Sequence, residues 1–361
     1  MGIVKRNLEI DLYRLLFAFT VVLVHSHGLK PQDHTRYPFC GGYLAVEFFF
    51  MLTGYFATRK MECSGNYRMA ARQAIIWTWK KFLQLYQYVI PAVILHYFAN
   101  AWMQKLPAFE TVKMLLYGTF EMLLLPASGI YETFQILPLW YLSALLLTLP
   151  MFYYMAMRLR DTFFYLISPL SILFIYGYFS VTYGHLDVWS KWTGHFLLAL
   201  LRSWAGLCLG GLCYLLAERL KKVPFSKEGL LLLRTIKILC LAGSVFYMLT
   251  RCRRKLDFLC VGLLFIALVI TFSNMQECNR KCGNFLSELS LALYVSHWTI
   301  RSIVPVIMPE ATYAEMLIPY LLISLIYAGG FAVVVNAVRR LSVAEKLKRY
   351  FLLQGYNKSE R

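Results

Sequence analysis

An arginine and a histidine on one stripe of an apolar helix would line a polar path through a membrane. The stretch NLEIDLYRLLFAFTVVLVHSHG, Asn7 to Gly28, carries such a pair, with ten residues between Arg14 and His25. At ~100° per residue, eleven helical steps return to within ~20° of the starting face, and they separate the two positions by ~16 Å along the axis. Arginine's planar, permanently charged guanidinium suits phosphate. Histidine titrates near neutrality and suits general-base work. A donor with a phosphate-rich head and a long thin arm matches this layout, head by Arg14 and reactive end by His25. The same residues fit a plainer reading, in which Arg14 snorkels to the inner interface and His25 lies at the outer one. Asp11 sits three residues before Arg14 and pairs with it on the helix, either orienting the guanidinium or balancing its charge.

Other residues carry weaker signals. Glu47 lies within GGYLAVEFFFMLTGYF, where a carboxylate needs a partner; His25, Arg14 or a base on another helix would serve. In LSELSLALYVSHW, Ser290, Tyr294 and His297 fall at i, i+4 and i+7 and share one face. They read as an inter-helix hydrogen-bond cluster or as part of a polar lining. Trp140 and Tyr141 open the segment LWYLSALLL and read as an interfacial aromatic belt. His25, His27 and His34 lack the carboxylate or cysteine spacing of a metal site, so no metal is expected. The nine cysteines show no zinc or disulfide-framework spacing and read as reduced thiols.

The elements that must hold these residues are membrane helices. Of 361 residues 59% are hydrophobic and 16% charged, well under the quarter charged in a soluble globule. The apolar runs are continuous, which excludes a β-barrel. Ten apolar spans are predicted, at about 10–29, 38–58, 82–102, 136–157, 162–180, 195–217, 229–250, 256–273, 285–308 and 316–338. An amphipathic stretch at 64–81 precedes the third, and 111–125 reads as re-entrant or interfacial. The net charge of +18 sits in clusters between spans, which argues for orientation against a membrane and not for nucleic acid. Putting both termini in the cytoplasm places the clusters at 59–81, 158–160, 219–227, 280–281 and 339–349 inside. The RCRRK loop at 251–255 then faces outward against the rule; an acidic acceptor or a tolerated exception accounts for it. The expectation is an all-α integral membrane protein, a single polytopic bundle of about ten transmembrane helices spanning 1–350, with a short cytoplasmic tail at 351–361.

Four segments, in order, resemble the membrane-bound acyltransferase family 3, whose members acylate surface sugars. They are IDLYRLLFAFTVVLVH with the Arg-(ten residues)-His pairing, VEFFFMLTGYF, LWYLSALLL and LSLALYVSH ending at His297. The chain departs from the family pattern at Thr53, usually Ser, and at Leu291, where an aromatic is common. In WKKFLQLYQYV it keeps Lys80 and Lys81 but has Gln84 and Tyr86 at the later positions of a basic segment.

The resemblance implies an O-acyltransferase in the plasma membrane of a bacterium. Acetyl-CoA or another short acyl-CoA is the expected donor, and a glycan or lipid-linked sugar outside the membrane is the expected acceptor. It implies catalytic roles for His25, Arg14 and Glu47 and donor contacts at Arg14, Lys80 and Lys81. Asp11, Tyr141, Ser290, Tyr294 and His297 are expected to line the path. The residues alone also fit a transporter of a small polar solute or lipid, or a membrane sensory module without catalysis.

Overall fold

The computed structural model describes residues 7–30, 39–64, 69–130, 134–194, 196–274 and 280–359. The described chain is almost wholly helical. Its helices are α1 (Leu8–His25), α2 (Ala45–Ser64), α3 (Ala70–Met103), α4 (Ala108–Met122) and α5 (Leu139–Arg158). A short α6 (Arg160–Thr162) runs through a π turn at Phe163–Ile167 into α7 (Ser168–Thr182). Then follow α8 (Leu198–Leu220), α9 (Lys227–Thr250), α10 (Asp257–Ser273), α11 (Arg280–Ile307) and α12 (Tyr313–Ser359). A two-residue antiparallel ribbon, Trp192–Thr193 with Phe196–Leu197, precedes α8.

Six helical stretches are long and apolar enough to cross a membrane: Ala70–Met103, Leu139–Arg158, Arg160–Thr182, Leu198–Leu220, Lys227–Thr250 and Tyr313–Arg340. Asp257–Ser273 is a shorter apolar helix. The helices that carry most candidate residues, α1, α2 and α11, are not among the six, because those polar and charged residues lower their hydropathy. They sit inside instead. α2 packs along α8 and also touches α1, α5 and α10, while α11 lies between α1, α3 and α12. The outer helices turn apolar side chains outward, among them Phe174 and Val181 on α7, Leu239 and Phe246 on α9, and Ile326 and Val333 on α12. So large an exposed apolar surface is what lipid, not water, covers.

Local chemistry starts and joins these helices. Asn7 caps α1 by accepting from the Glu9 amide at 2.9 Å, and Glu9 and Asp11 fall in the first turn, where the helix dipole favours anions. α2 and α8 cross so closely that a Cβ at Gly210 would run into the Met51 carbonyl oxygen. Gly210→Ala is expected to cost about 1–3 kcal/mol by overpacking, read as a lower thermal unfolding midpoint in detergent.

Two predicted elements take definite form. Residues 70–81 of the amphipathic stretch belong to α3, which is one continuous helix of 34 residues. The ambiguous segment at 111–125 falls largely within α4, whose 15 residues are fewer than the ~20 a crossing needs. α4 packs along α3, where Tyr97 donates to the buried Glu121 at 2.8 Å, and it leaves Phe109, Val112 and Leu116 exposed.

Candidate active site

Arg14 and His25 do open toward cavities, but toward two different ones, back to back. The cavity at the Arg14 end has a volume of about 430 Å³, and four cations line it: Arg14, Lys60, Lys80 and Lys81. Arg14 donates through Nη1 to Asp11 at 3.1 Å and to Ser287 on α11 at 2.9 Å, and its guanidinium lies 5.5 Å from the Phe56 ring centre. Lys60 sits over Trp77 at 4.6 Å. No ion pair joins Lys60, Lys80 or Lys81 to a carboxylate among the described residues. Four positive charges held near one carboxylate have the chemistry to attract a polyanion. Thr53 also lines it, and its hydroxyl donates to the Phe49 carbonyl at 3.0 Å, so the departure from Ser keeps the polar group.

The second cavity, also about 430 Å³, holds His25 together with His27, Trp140, Trp189, Asp187 and Arg253. His25 Nδ1 lies 3.1 Å from His297 Nε2, and His297 Nδ1 lies 3.0 Å from the Leu293 carbonyl oxygen. A carbonyl only accepts, so His297 carries its proton on Nδ1 and, when neutral, presents Nε2 as an acceptor. His25 must then donate from Nδ1, which leaves its lone pair on Nε2. This assignment follows from the network, and it gives His25 the tautomer of a base. The remaining contacts fix the ring: Trp298 meets it edge-on at 5.2 Å, and Arg301 donates to the His25 carbonyl at 3.1 Å while lying 4.2 Å over Trp298.

An aromatic partition divides the cavities. Phe49, Tyr141 and Tyr294 stand with ring centres 5.6–6.3 Å apart. Tyr294 lines both chambers and is tied to the Pro138 carbonyl at 2.7 Å.

The structure sorts the expected site residues. Arg14, Lys80, Lys81, Tyr141, Ser290 and Tyr294 meet in the first cavity. His297 lies a turn beyond Tyr294, away from that lining and under His25. Asp11 is buried against Arg14. Trp140 and Tyr141 correct the reading as an interfacial belt: both are 6% exposed and point into the bundle, against Phe50. Their place at the start of α5 does not put them at a lipid surface because other helices surround that end.

Glu47 lines neither cavity. Its partner is Arg202 on α8, at 2.5 Å, with both side chains fully buried. Tyr176 donates to the other carboxylate oxygen at 2.9 Å, and Arg202 donates to the Tyr43 carbonyl at 2.8 Å while lying 5.3 Å from the Trp140 ring centre. The sequence reading did not single out Arg202, although an arginine in LALLRSWAGLCLGG is itself the signal. It also missed Ser287, Arg301 and Asp257. Asp257 is buried at the start of α10 and accepts from the Tyr43 and Tyr247 hydroxyls at 2.5 and 2.7 Å and from the Leu186 amide at 2.9 Å. Through it, and through the Arg253–Asp187 pair at 2.9 Å, the RCRRK loop is fastened to the rim of the His25 cavity. His34 and Cys278 lie outside the described residues, and among those described no group of three histidine, cysteine or acidic side chains is placed to hold a metal.

A helical membrane bundle with a cation-lined chamber set back to back with an imidazole pair suits a membrane-embedded transferase. The acyltransferase domain family matches residues 7–338, and the chain belongs to acyltransferase family 3. No curated protein and no solved structure matches it.

Proposed function

We propose that this protein is an O-acetyltransferase that moves an acetyl group from cytoplasmic acetyl-CoA to a hydroxyl of a glycan or lipid-linked sugar outside the plasma membrane of a bacterium. The observation that carries the reading is the pair of chambers on one helix, cations at the Arg14 end and the oriented His25 at the other. In this reading ten helices cross the membrane with both termini cytoplasmic. α4 lies at the outer face, the Arg14 chamber opens inward and the His25 chamber opens outward.

The residues fit the donor. Arg14, Lys60, Lys80 and Lys81 bind the phosphates of the nucleotide end, with Asp11 and Ser287 holding the Arg14 guanidinium. The partition of Phe49, Tyr141 and Tyr294 yields to the thin thioester arm. His25 Nε2 takes the proton from the acceptor hydroxyl as its oxygen attacks the thioester carbonyl. The carbon–sulfur bond breaks, and His25 returns the proton to the departing thiolate. His297 holds the ring in the tautomer that allows this, and the Glu47–Arg202 pair braces the Tyr43 and Trp140 walls.

The test supplies acetyl-CoA with a labelled acetyl group to inverted membrane vesicles, whose cytoplasmic face is outward. Label is expected in glycan or lipid. Arg14→Lys is expected to raise the KM for acetyl-CoA about tenfold or more, since a planar charged contact is lost. No label together with no binding of acetyl-CoA would refute the reading in favour of transport or sensing. An unchanged KM in Arg14→Lys would remove Arg14 from the donor site.

A further inference from the structure

Cys40 and Cys252 stand 212 positions apart in the chain, yet they share the wall of the His25 cavity. Cys40 lies in the segment leading into α2, and Cys252 in the RCRRK loop between α9 and α10. Two backbone hydrogen bonds clamp these segments together on either side of Cys40, from the Phe39 amide to the Leu249 carbonyl and from the Gly41 amide to the Met248 carbonyl, both at 3.0 Å. The approach is so close that a Cβ at Gly41 would strike the Arg251 carbonyl oxygen. Between the clamps the Cys40 thiol has that of Cys252 as its neighbour on the cavity wall, and both are free thiols in the structure. Tyr43 and Asp257 hold the second segment from the other side, for the Arg253 amide donates to the Tyr43 hydroxyl at 2.7 Å, which in turn donates to Asp257.

We infer that Cys40 and Cys252 form a disulfide that locks the rim of the outer cavity. The inference rests on the orientation proposed above, which puts both residues on the extracytoplasmic side, where disulfides persist. Backbones fixed side by side, with the two thiols on one wall, bring the cysteines toward the short separation that the bond demands. Oxidation breaks two S–H bonds and forms one S–S bond. The two electrons and the two protons both end on a disulfide-bearing oxidant, whose S–S bond breaks and which leaves as a dithiol. The alternative use of the pair, as a nucleophile carrying the acyl group, is disfavoured by the Cys40 thiol itself. Burial, with Cys252 beside it, pushes that thiol up to about 12, so little thiolate exists at neutral pH. Cys208, Cys213, Cys240 and Cys260 are buried on helices, whereas Cys40 and Cys252 are half-buried on adjoining segments outside the helices. A disulfide between them departs from the reading as reduced thiols because the fold, and not their spacing, brings them together.

The test begins with intact cells treated with membrane-permeant N-ethylmaleimide, which blocks every free thiol. The full-length wild-type protein is then isolated under denaturing, non-reducing conditions, digested without reductant and read by mass spectrometry. Cys40 and Cys252 are expected in one disulfide-linked peptide pair in most copies. In Cys40→Ser, Cys252 is expected to be recovered carrying maleimide. Recovery of Cys40 and Cys252 from wild type as separate maleimide-bearing peptides would overturn the inference. A second variant reports on orientation alone: Arg254→Cys in a Cys40→Ser, Cys252→Ser background, treated with a membrane-impermeant maleimide. Labelling found on the peptide bearing position 254 in intact cells, with the exposed Cys63 at the opposite membrane face left unlabelled, keeps the orientation whatever the state of the pair. Labelling only after permeabilisation would overturn the orientation, and with it the compartment the disulfide needs.

Discussion

His25→Ala is expected to lower acetyl transfer by about 10²–10⁴-fold, the usual contribution of a positioned general base, while the protein still inserts and folds. The half-buried ring touches the bundle mainly through His297 and Trp298, so its removal leaves the helix packing in place. His297→Phe separates positioning from chemistry. It keeps the ring's bulk but removes the acceptor that fixes the His25 tautomer, and a fall of about 10²-fold in kcat is expected. The KM for acetyl-CoA should not move, because His297 lies outside the cation chamber. A purely structural role would instead shift the unfolding midpoint in parallel with activity. Near-normal transfer by a well-folded His25→Ala protein would end the assignment of His25 as the base.

The largest expected effect on stability belongs to the pair that lines no cavity. Glu47→Ala strands Arg202 in the centre of the bundle, and Arg202→Ala strands Glu47. Each is expected to cost about 3–5 kcal/mol, because a buried charge left alone keeps its desolvation penalty and loses its compensation. Arg202→Lys should not rescue fully. A single ammonium cannot at once reach Glu47, the Tyr43 carbonyl and the Trp140 face. The double replacement Glu47→Gln, Arg202→Met removes both charges and is expected to unfold at a higher temperature than either single alanine variant. Thermal unfolding of the purified protein in detergent reads all four. If Glu47→Ala unfolds at the wild-type temperature, the ion pair is not what holds α2 to α8.

What the sequence made legible follows from how each contact is built. Arg14 and His25 lie on one helix, and periodicity alone puts them on one stripe. The apolar runs announced a helical membrane protein, because few other structures satisfy the backbone in lipid. The partners were hidden. His25 meets His297 and Glu47 meets Arg202 only after α1, α2, α8 and α11 pack. A residue that is costly to bury advertises the need for a partner without naming it. Trp140 and Tyr141 were misread for a related reason: a helix end marks a membrane interface only if that end faces lipid. α4 stayed ambiguous because a run of its length and composition suits a buried, an interfacial or a re-entrant helix equally well.

The partition of Phe49, Tyr141 and Tyr294 has an electrical consequence. A polar route across a membrane is also a possible leak, and each elementary charge that crosses a potential of 100 mV exchanges about 2.3 kcal/mol with the field. Three rings packed tilted and edge-to-face offer ions no replacement for their hydration shells, so the seal holds at rest. On the proposed route the partition opens outward to an uncharged thioester tip and inward to an uncharged thiol, since His25 has already returned the proton to sulfur. Each turnover then sends an acetyl group one way and a hydrogen the other with no net charge displaced. The membrane potential neither drives the reaction nor is spent by it.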